Sequence, residues 1–405
     1  MSNIGQDSIA SATPTAVEPQ GSNGYVNEYH DFVFSGKVAD AARDPAYEYT
    51  DLLPTYPKIN WEPLKLQEDL PEPGRQVQFG QSTRKGALLN RSGVKYTPMS
   101  PTLGLEVTNV DLRDLTILEK NELGRMIAEH GVVVFRGQPH FTVHDQANLV
   151  SHFGPFYKHP SSGIPSADLA HIRVLYQGPN VRVPPAAMSY AKQWHLDSAF
   201  EINPPGIVSM QLLRAPESGG DTVFTSGYDV YDYLSKGYQQ YLEPLKAEHR
   251  PGYLDLMKMT LHQRRPITAN IHPVVCVHPV TGWKSTFVDK LTTRSVVGLP
   301  LDESDMLIEY LGTLAMQSIN SQIRVRWDTE TVAFWDNRCV FHSATFNYWP
   351  EQRHTALISA TANRPMSVEE ARKMGIEPKS RGEDMMEKMG YKDFKVIDMT
   401  NGRDT

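Results

Sequence analysis

Between positions 130 and 138 the chain reads HGVVVFRGQ, four apolar residues in a row closed by a glycine. A run that short, with no polar face, predicts a strand buried on both sides over Val132–Phe135 and ended by Gly137. Upstream, Thr116 and Glu119 carry the T-x-x-E signature of a capping box. Leu118, Leu123, Met126 and Ile127 then recur at helical spacing, so a helix leads into the strand. FTVHDQANLVSHFG (141–154) predicts a second helix, closed at Gly154. Beyond position 195 the pattern changes to short β-rich runs between turns: GIVSMQLL, DTVFTS, NIHPVVCVHP, KSTFVD, IRVRW, TVAFWD and ALISATA. Two helical stretches interrupt them, at about 227–242 and about 303–319, and EDMMEKM (383–389) predicts an amphipathic helix. Many short strands with helices between them predict a mainly β core, a barrel or sandwich with peripheral helices as cover.

The rest of the chain divides by composition. Residues 1–25 are rich in Ser, Gly, Asn, Thr and Ala and read as a disordered tail. Residues 26–95 are punctuated by proline (LLPTYP, WEPL, LPEPG) with scattered aromatics, the pattern of an extended arm packed on the core. Residues 96–405 form the main domain. With 40 basic against 47 acidic residues the net charge is −7, and no basic run is long enough to track a phosphate backbone, so a nucleic-acid partner is not expected. No stretch approaches the ~20 apolar residues of a membrane span, and the first thirty residues lack the charged and apolar blocks of a secretory leader. Two cysteines among 405 residues are too few for a disulfide framework or a thiolate zinc site. These features predict a reducing, cytoplasmic setting; a homo-oligomer is left open.

Candidate chemistry enters at WHLDSAF (194–200). Of the 14 histidines only His195 has an acidic residue two positions on, Asp197. On a strand those two side chains share a face, and one imidazole with one carboxylate is two thirds of a facial site for Fe(II). Spacing alone decides little, since 14 histidines and 47 acidic residues in 405 positions give about one or two such pairs by chance. The second stretch is WDNRCVFHSATFNYWPEQR (335–353), which supplies His342, 145 residues after Asp197, and Arg353, 11 residues later. A His/Asp/His face would leave the opposite side of an octahedral ion open to a bidentate co-substrate and O2. Arg353 has the planar fork that grips a carboxylate, and Thr222, in GGDTVF, could add a hydroxyl donor.

Together these stretches resemble the taurine dioxygenase/TfdA family of Fe(II)- and 2-oxoglutarate-dependent dioxygenases. The resemblance runs from about Leu105 to Pro365 through five motifs in order: HGVVVFRGQ, FG-x4-HP (153–160), WHLDSAFE-x2-PPG (194–206), PESGGDTVFTSG (216–227) and WDNR-x3-H-x10-R (335–353). It implies a double-stranded β-helix (jelly-roll) core, with His195, Asp197 and His342 as iron ligands. It further implies that Thr222 and Arg353 hold 2-oxoglutarate, and that O2 is consumed with release of succinate and CO2. His159 matches a position that contacts the substrate's anionic group. One position departs. Sulfonate-oxidising members carry a second arginine four residues after the first, and here that residue is Leu357. Leucine cannot neutralise an anion in a closed pocket, which argues against a simple alkylsulfonate substrate. His354, Arg338 or Lys192 could supply a replacement charge, keeping a sulfonate or sulfate-ester dioxygenase as the alternative. A non-catalytic metal- or ligand-binding barrel and a zinc hydrolase are the readings outside the class. Trp194 and Trp335 read as core aromatics beside the ligand strands, and Cys339 as a small packed residue.

Overall fold

The computed structural model describes residues 47–72, 86–178, 194–251, 263–266 and 268–391. In chain order its strands are β1 (Lys95–Pro98), β2 (Leu105–Thr108), β3 (Val132–Phe135), β4 (Ile172–Gln177), β5 (Pro205–Arg214), β6 (Thr222–Ser226), β7 (Lys246–His249), β8 (Asn270–Pro273), β9 (Val275–Val277), β10 (Lys284–Thr286), β11 (Thr293–Val296), β12 (Gln322–Val325), β13 (Val332–Asp336), β14 (Val340–Ala344) and β15 (Arg353–Thr361). The helices are α1 (Ile117–His130), α2 (Val143–Val150), α3 (Gly227–Asp232), α4 (Lys236–Leu242), α5 (Leu301–Gln317), α6 (Val368–Lys373) and α7 (Arg381–Lys388).

The major sheet has seven strands in the order β1-β2-β3-β13-β5-β15-β4, and a smaller sheet, β12-β6-β14, packs over it. Alternation along the major strands explains why the sequence shows continuous apolar runs. Val132, Val134, Val208, Met210, Ala333, Trp335 and Leu357 face the smaller sheet and meet Phe224, Ile323, Val325 and Val340. Val133, Phe135, Ile207, Phe334, Ala356 and Ile358 face the other way, onto Leu123, Met126 and Ile127 of α1 and Val143, Ala147 and Val150 of α2. Both faces are buried, so neither needs a polar residue. Each of these large side chains contributes about 1.5–3 kcal/mol by leaving water. The jelly-roll core and its helical cover are as the sequence predicts.

Details differ from the sequence reading. The capping box at Thr116/Glu119 forms as expected. The second helix ends earlier, at Ser151, and Gly154 instead lets the backbone pass β15: a Cβ there would lie 2.9 Å from the Thr361 carbonyl oxygen. The helical stretch at 227–242 is two helices, because the Ser235 hydroxyl caps a fresh start by accepting the Tyr238 N–H. NIHPVVCVHP likewise divides into β8 and β9, which lie in different sheets. The sequence reading missed β1, β2, β4, β7, β11 and β14.

Arm residues 47–72 touch the barrel at several points. Tyr47 Oη lies 2.7 Å from His354 Nδ1, and Thr55 bridges Ile164. The Gln67 and Leu70 amides donate to Asn203 and Asn363, and Glu72 pairs with Arg338 at 2.8 Å. The tail at 1–25 and the rest of the arm before Tyr47 lie outside the described residues. Among the described residues no helix is long and apolar enough to cross a membrane.

Candidate metal centre

His342 sits in the middle of β14, and its backbone exchanges two hydrogen bonds with His195, at 3.0 and 3.1 Å. His195 is held by that single bridge, not by a full strand, and a turn begins at Asp197. Asn337 fixes the turn. Its side-chain oxygen accepts the Asp197 N–H at 2.6 Å, and its amide donates to the Asp197 and Pro205 carbonyls. Asn337 belongs to the WDNR turn between β13 and β14, so one loop positions the carboxylate while the next strand delivers His342.

Ligand atoms of His195, Asp197 and His342 all lie within 4.8 Å of one another. Each carboxylate oxygen of Asp197 faces an imidazole Nε2 at 3.6 Å, one from His195 and the other from His342. That is too long for a hydrogen bond and leaves room for an ion between the groups. Burial opposes charge on Asp197, but His342, His195 and Arg173 outweigh it and hold its carboxyl well below the usual range. Burial, with help from His195 and Arg173, pushes His342 down to about 3 against the pull of Asp197. A neutral imidazole beside an ionised carboxylate is the donor set that Fe(II) requires.

A second cluster, His278, Asp336 and Cys339, also brings donor atoms together. Its carboxylate is already satisfied by His278 Nε2 at 2.8 Å and by two guanidinium bonds from Arg338. Burial pushes the Cys339 thiol up, away from the thiolate a metal would want. This cluster is a structural knot.

Arg353, the first residue of β15, is buried and donates through Nε to the Gly220 carbonyl and through Nη1 to Thr355 Oγ1. Gly220 stands two residues before Thr222, whose hydroxyl accepts the Trp327 indole N–H at 3.1 Å. Among the described residues no carboxylate lies within ion-pair distance of Arg353, and burial lowers its pKa. A buried guanidinium in that condition suits the free carboxylate of a dicarboxylic ligand.

His159 and Leu357 line one small cavity with Asp197, Tyr157, Arg173 and Ser359. The Ser161 and Ser162 N–H groups both donate to His159 Nδ1, and burial keeps the ring neutral, so its proton resides on Nε2. Trp335 lies 5.1 Å from the His342 ring, deep in the core, and Trp194 is partly buried. Two of the three replacement cations proposed from sequence are engaged elsewhere. His354 is tied to Tyr47 and the Leu52 carbonyl, Arg338 is committed to Asp336 and Glu72, and Lys192 lies outside the described residues. The sequence reading missed Arg173, which sits across from Leu357 in the β4–β15 pairing. The available signal was HIRVLYQ, where Ile172 and Val174 alternate with a charged residue.

Comparison with known proteins agrees with this arrangement. A family model described as "Taurine catabolism dioxygenase TauD, TfdA family" matches residues 95–358. The Saccharomyces cerevisiae alpha-ketoglutarate-dependent sulfonate dioxygenase is 32% identical over 342 residues, covering 82% of this chain and 81% of its own. A Schizosaccharomyces pombe protein is 34% identical over 326 residues, 79% of this chain and 81% of its own. Among solved structures, a taurine dioxygenase from Burkholderia xenovorans superposes with a TM-score of 0.58 at 24% identity, covering 68% of this chain and 94% of that one, a likeness of fold. The chain belongs to the TauD/TfdA family of Fe(II)- and 2-oxoglutarate-dependent dioxygenases.

Proposed function

We propose that His195, Asp197 and His342 hold Fe(II), that Arg353 and Thr222 hold the distal carboxylate of 2-oxoglutarate, and that the enzyme hydroxylates a small organic substrate on the side of the centre bordered by His159 and Leu357. The observation that carries this reading is the 3.6 Å spacing of each Asp197 oxygen from a different imidazole nitrogen. Bound there, Fe(II) with 2-oxoglutarate supplies the O2-dependent oxidation that releases succinate and CO2.

The chain's own residues bind, orient and exclude water. Asn337 holds the Asp197 backbone, so the carboxylate projects from a fixed turn. Arg353 offers a pre-formed cation whose position is fixed by Gly220 and Thr355, so little ordering is lost when the co-substrate docks. His159 presents an N–H toward the cavity, and Leu357 and Tyr157 give it apolar walls. The two cysteines are buried and unpaired, which supports a reducing, cytoplasmic setting.

Anaerobic titration with Fe(II) and 2-oxoglutarate tests the assignment. A visible metal-to-ligand charge-transfer band is expected. It should vanish in His195→Ala and need at least tenfold more 2-oxoglutarate in Arg353→Ala. An iron-loaded protein with no band would overturn the proposal.

The sulfonate in the yeast relative's name gives a second reading of the substrate. Leu357 argues against it, and Arg173 beside Leu357 argues for it.

A further inference from the structure

The position of Arg173 resolves that conflict. β4 and β15 pair antiparallel, with Arg173 directly opposite Leu357 and Gln177 opposite Arg353. Directly paired residues have Cβ atoms about 5 Å apart on the same face, so Arg173, Leu357, Thr355 and Arg353 all project into the barrel. Arg173 therefore starts from the backbone next to the position where an arginine is missing.

Its guanidinium reaches the centre: Nη1 lies 3.3 Å from Asp197 Oδ1. Its Nε is buried and has no hydrogen-bond partner among the described residues. Asp197 is its one carboxylate neighbour within ion-pair distance there, and that charge is shared with two imidazoles and is claimed by the cation of the proposed iron site. Once the carboxylate is so engaged, the guanidinium is left with an unmatched charge and unused donors facing the cavity it shares with His159. His159 adds no second charge, since its Nδ1 accepts the Ser161 and Ser162 N–H groups, and Arg265, which reaches Tyr157 from behind, is paired with Glu201.

We propose that Arg173 is the substrate-recognising cation of this enzyme: it pairs with a sulfonate or sulfate-ester group while the His159 N–H donates to the same group, and Leu357 packs against the attached carbon chain. The selectivity for an anion has moved across one strand pair, from position 357 to position 173. This rests on the iron and co-substrate assignment above. It also revises the sequence argument, since leucine at 357 no longer implies an uncharged substrate.

The test uses the Fe(II)- and 2-oxoglutarate-loaded protein under anaerobic conditions, with calorimetric affinities for hexanesulfonate, hexyl sulfate and 1-hexanol. Wild type should bind at least one of the two anions tenfold or more tightly than the alcohol. Comparing the two anions separates a sulfonate from a sulfate-ester preference. Arg173→Met should erase that preference while a charge-transfer band still forms and 1-hexanol still binds. Arg173→Lys should retain part of it. Leu357→Glu leaves Arg173 in place but sets a carboxylate opposite it, and should erase the preference too, which keeps the test sharp if Arg173→Met does not fold. Placing the charge back in Arg173→Met/Leu357→Arg should restore it. Wild type that binds 1-hexanol as tightly as both anions would overturn the proposal. So would Arg173→Met that loses the band itself, because Arg173 would then act on Asp197 alone. A wild-type protein with no band at all would instead sink the iron and co-substrate assignment.

Discussion

At the scale of single residues, the centre depends on side chains that touch no ligand. Asn337 makes three hydrogen bonds that hold the Asp197 turn against Pro205, all of them buried. Removing them leaves a buried N–H and two carbonyls unmatched, at about 1–3 kcal/mol each where water cannot enter. Asn337→Ala is therefore expected to weaken Fe(II) binding about 10–100-fold, read by metal titration, with a lower melting temperature in the metal-free protein. How much of the site could be read in advance follows the same logic. His195, Asp197, His342 and Arg353 stand in motifs whose spacing is visible in one dimension, and the structure brings the first three together. Asn337 was quoted inside WDNR with no role, because a hydrogen bond to residue 197 leaves no local trace. Arg173 was missed because its meaning comes from a partner 184 positions away, paired only once the sheet forms.

At the scale of elements, the legible strands were those buried on both faces, whose apolar runs are unbroken: β3, β5, β13 and β15. The missed ones carry polar residues for tertiary reasons. β4 breaks its apolar run with Arg173, which is turned toward Asp197, and β7 (KAEH) buries only Ala247 and His249. Gly154 shows how closely elements approach near the site. The chain there runs beside the end of β15, with Thr361 donating to the Pro155 carbonyl at 2.7 Å and Phe156 bridging Ala360. Gly154 has φ +153°, and a Cβ would press on the Thr361 oxygen at 2.9 Å. Gly154→Ala is expected to destabilise the fold by about 1–3 kcal/mol in urea unfolding. It should also weaken substrate binding more than 2-oxoglutarate binding, because the displaced segment carries His159 and not Arg353.

At the scale of the whole molecule, several histidines are buried where they cannot be charged. His272 and His354 are each pushed down to about 4 by burial, against an unfolded value of about 6.5. The unfolded chain binds protons at these sites between those values and the folded chain does not, so stability falls as pH drops through that window. Each site accounts for up to about 3 kcal/mol by pH 4. Urea midpoints of the metal-free protein should hold steady from pH 8 to 7 and decline from about 6.5 downward. His354→Gln should soften the decline. The same His354 receives Tyr47, 307 positions earlier, and Glu72 meets Arg338 across 266 positions. That separation has a temporal meaning. On a ribosome the arm precedes every anchor it uses, and two of them, Arg338 and His354, follow their partners by 266 and 307 positions. β15 belongs in the interior of the major sheet, between β5 and β4, so it must enter a space its neighbours have kept for it. A nascent chain halted before residue 353 already contains all three candidate ligands but no Arg353, no Leu357 opposite Arg173 and no His354 to meet Tyr47. The centre is therefore finished only once β15 has been made, when one strand closes the sheet, sets the candidate co-substrate arginine and adds the His354 contact to the arm.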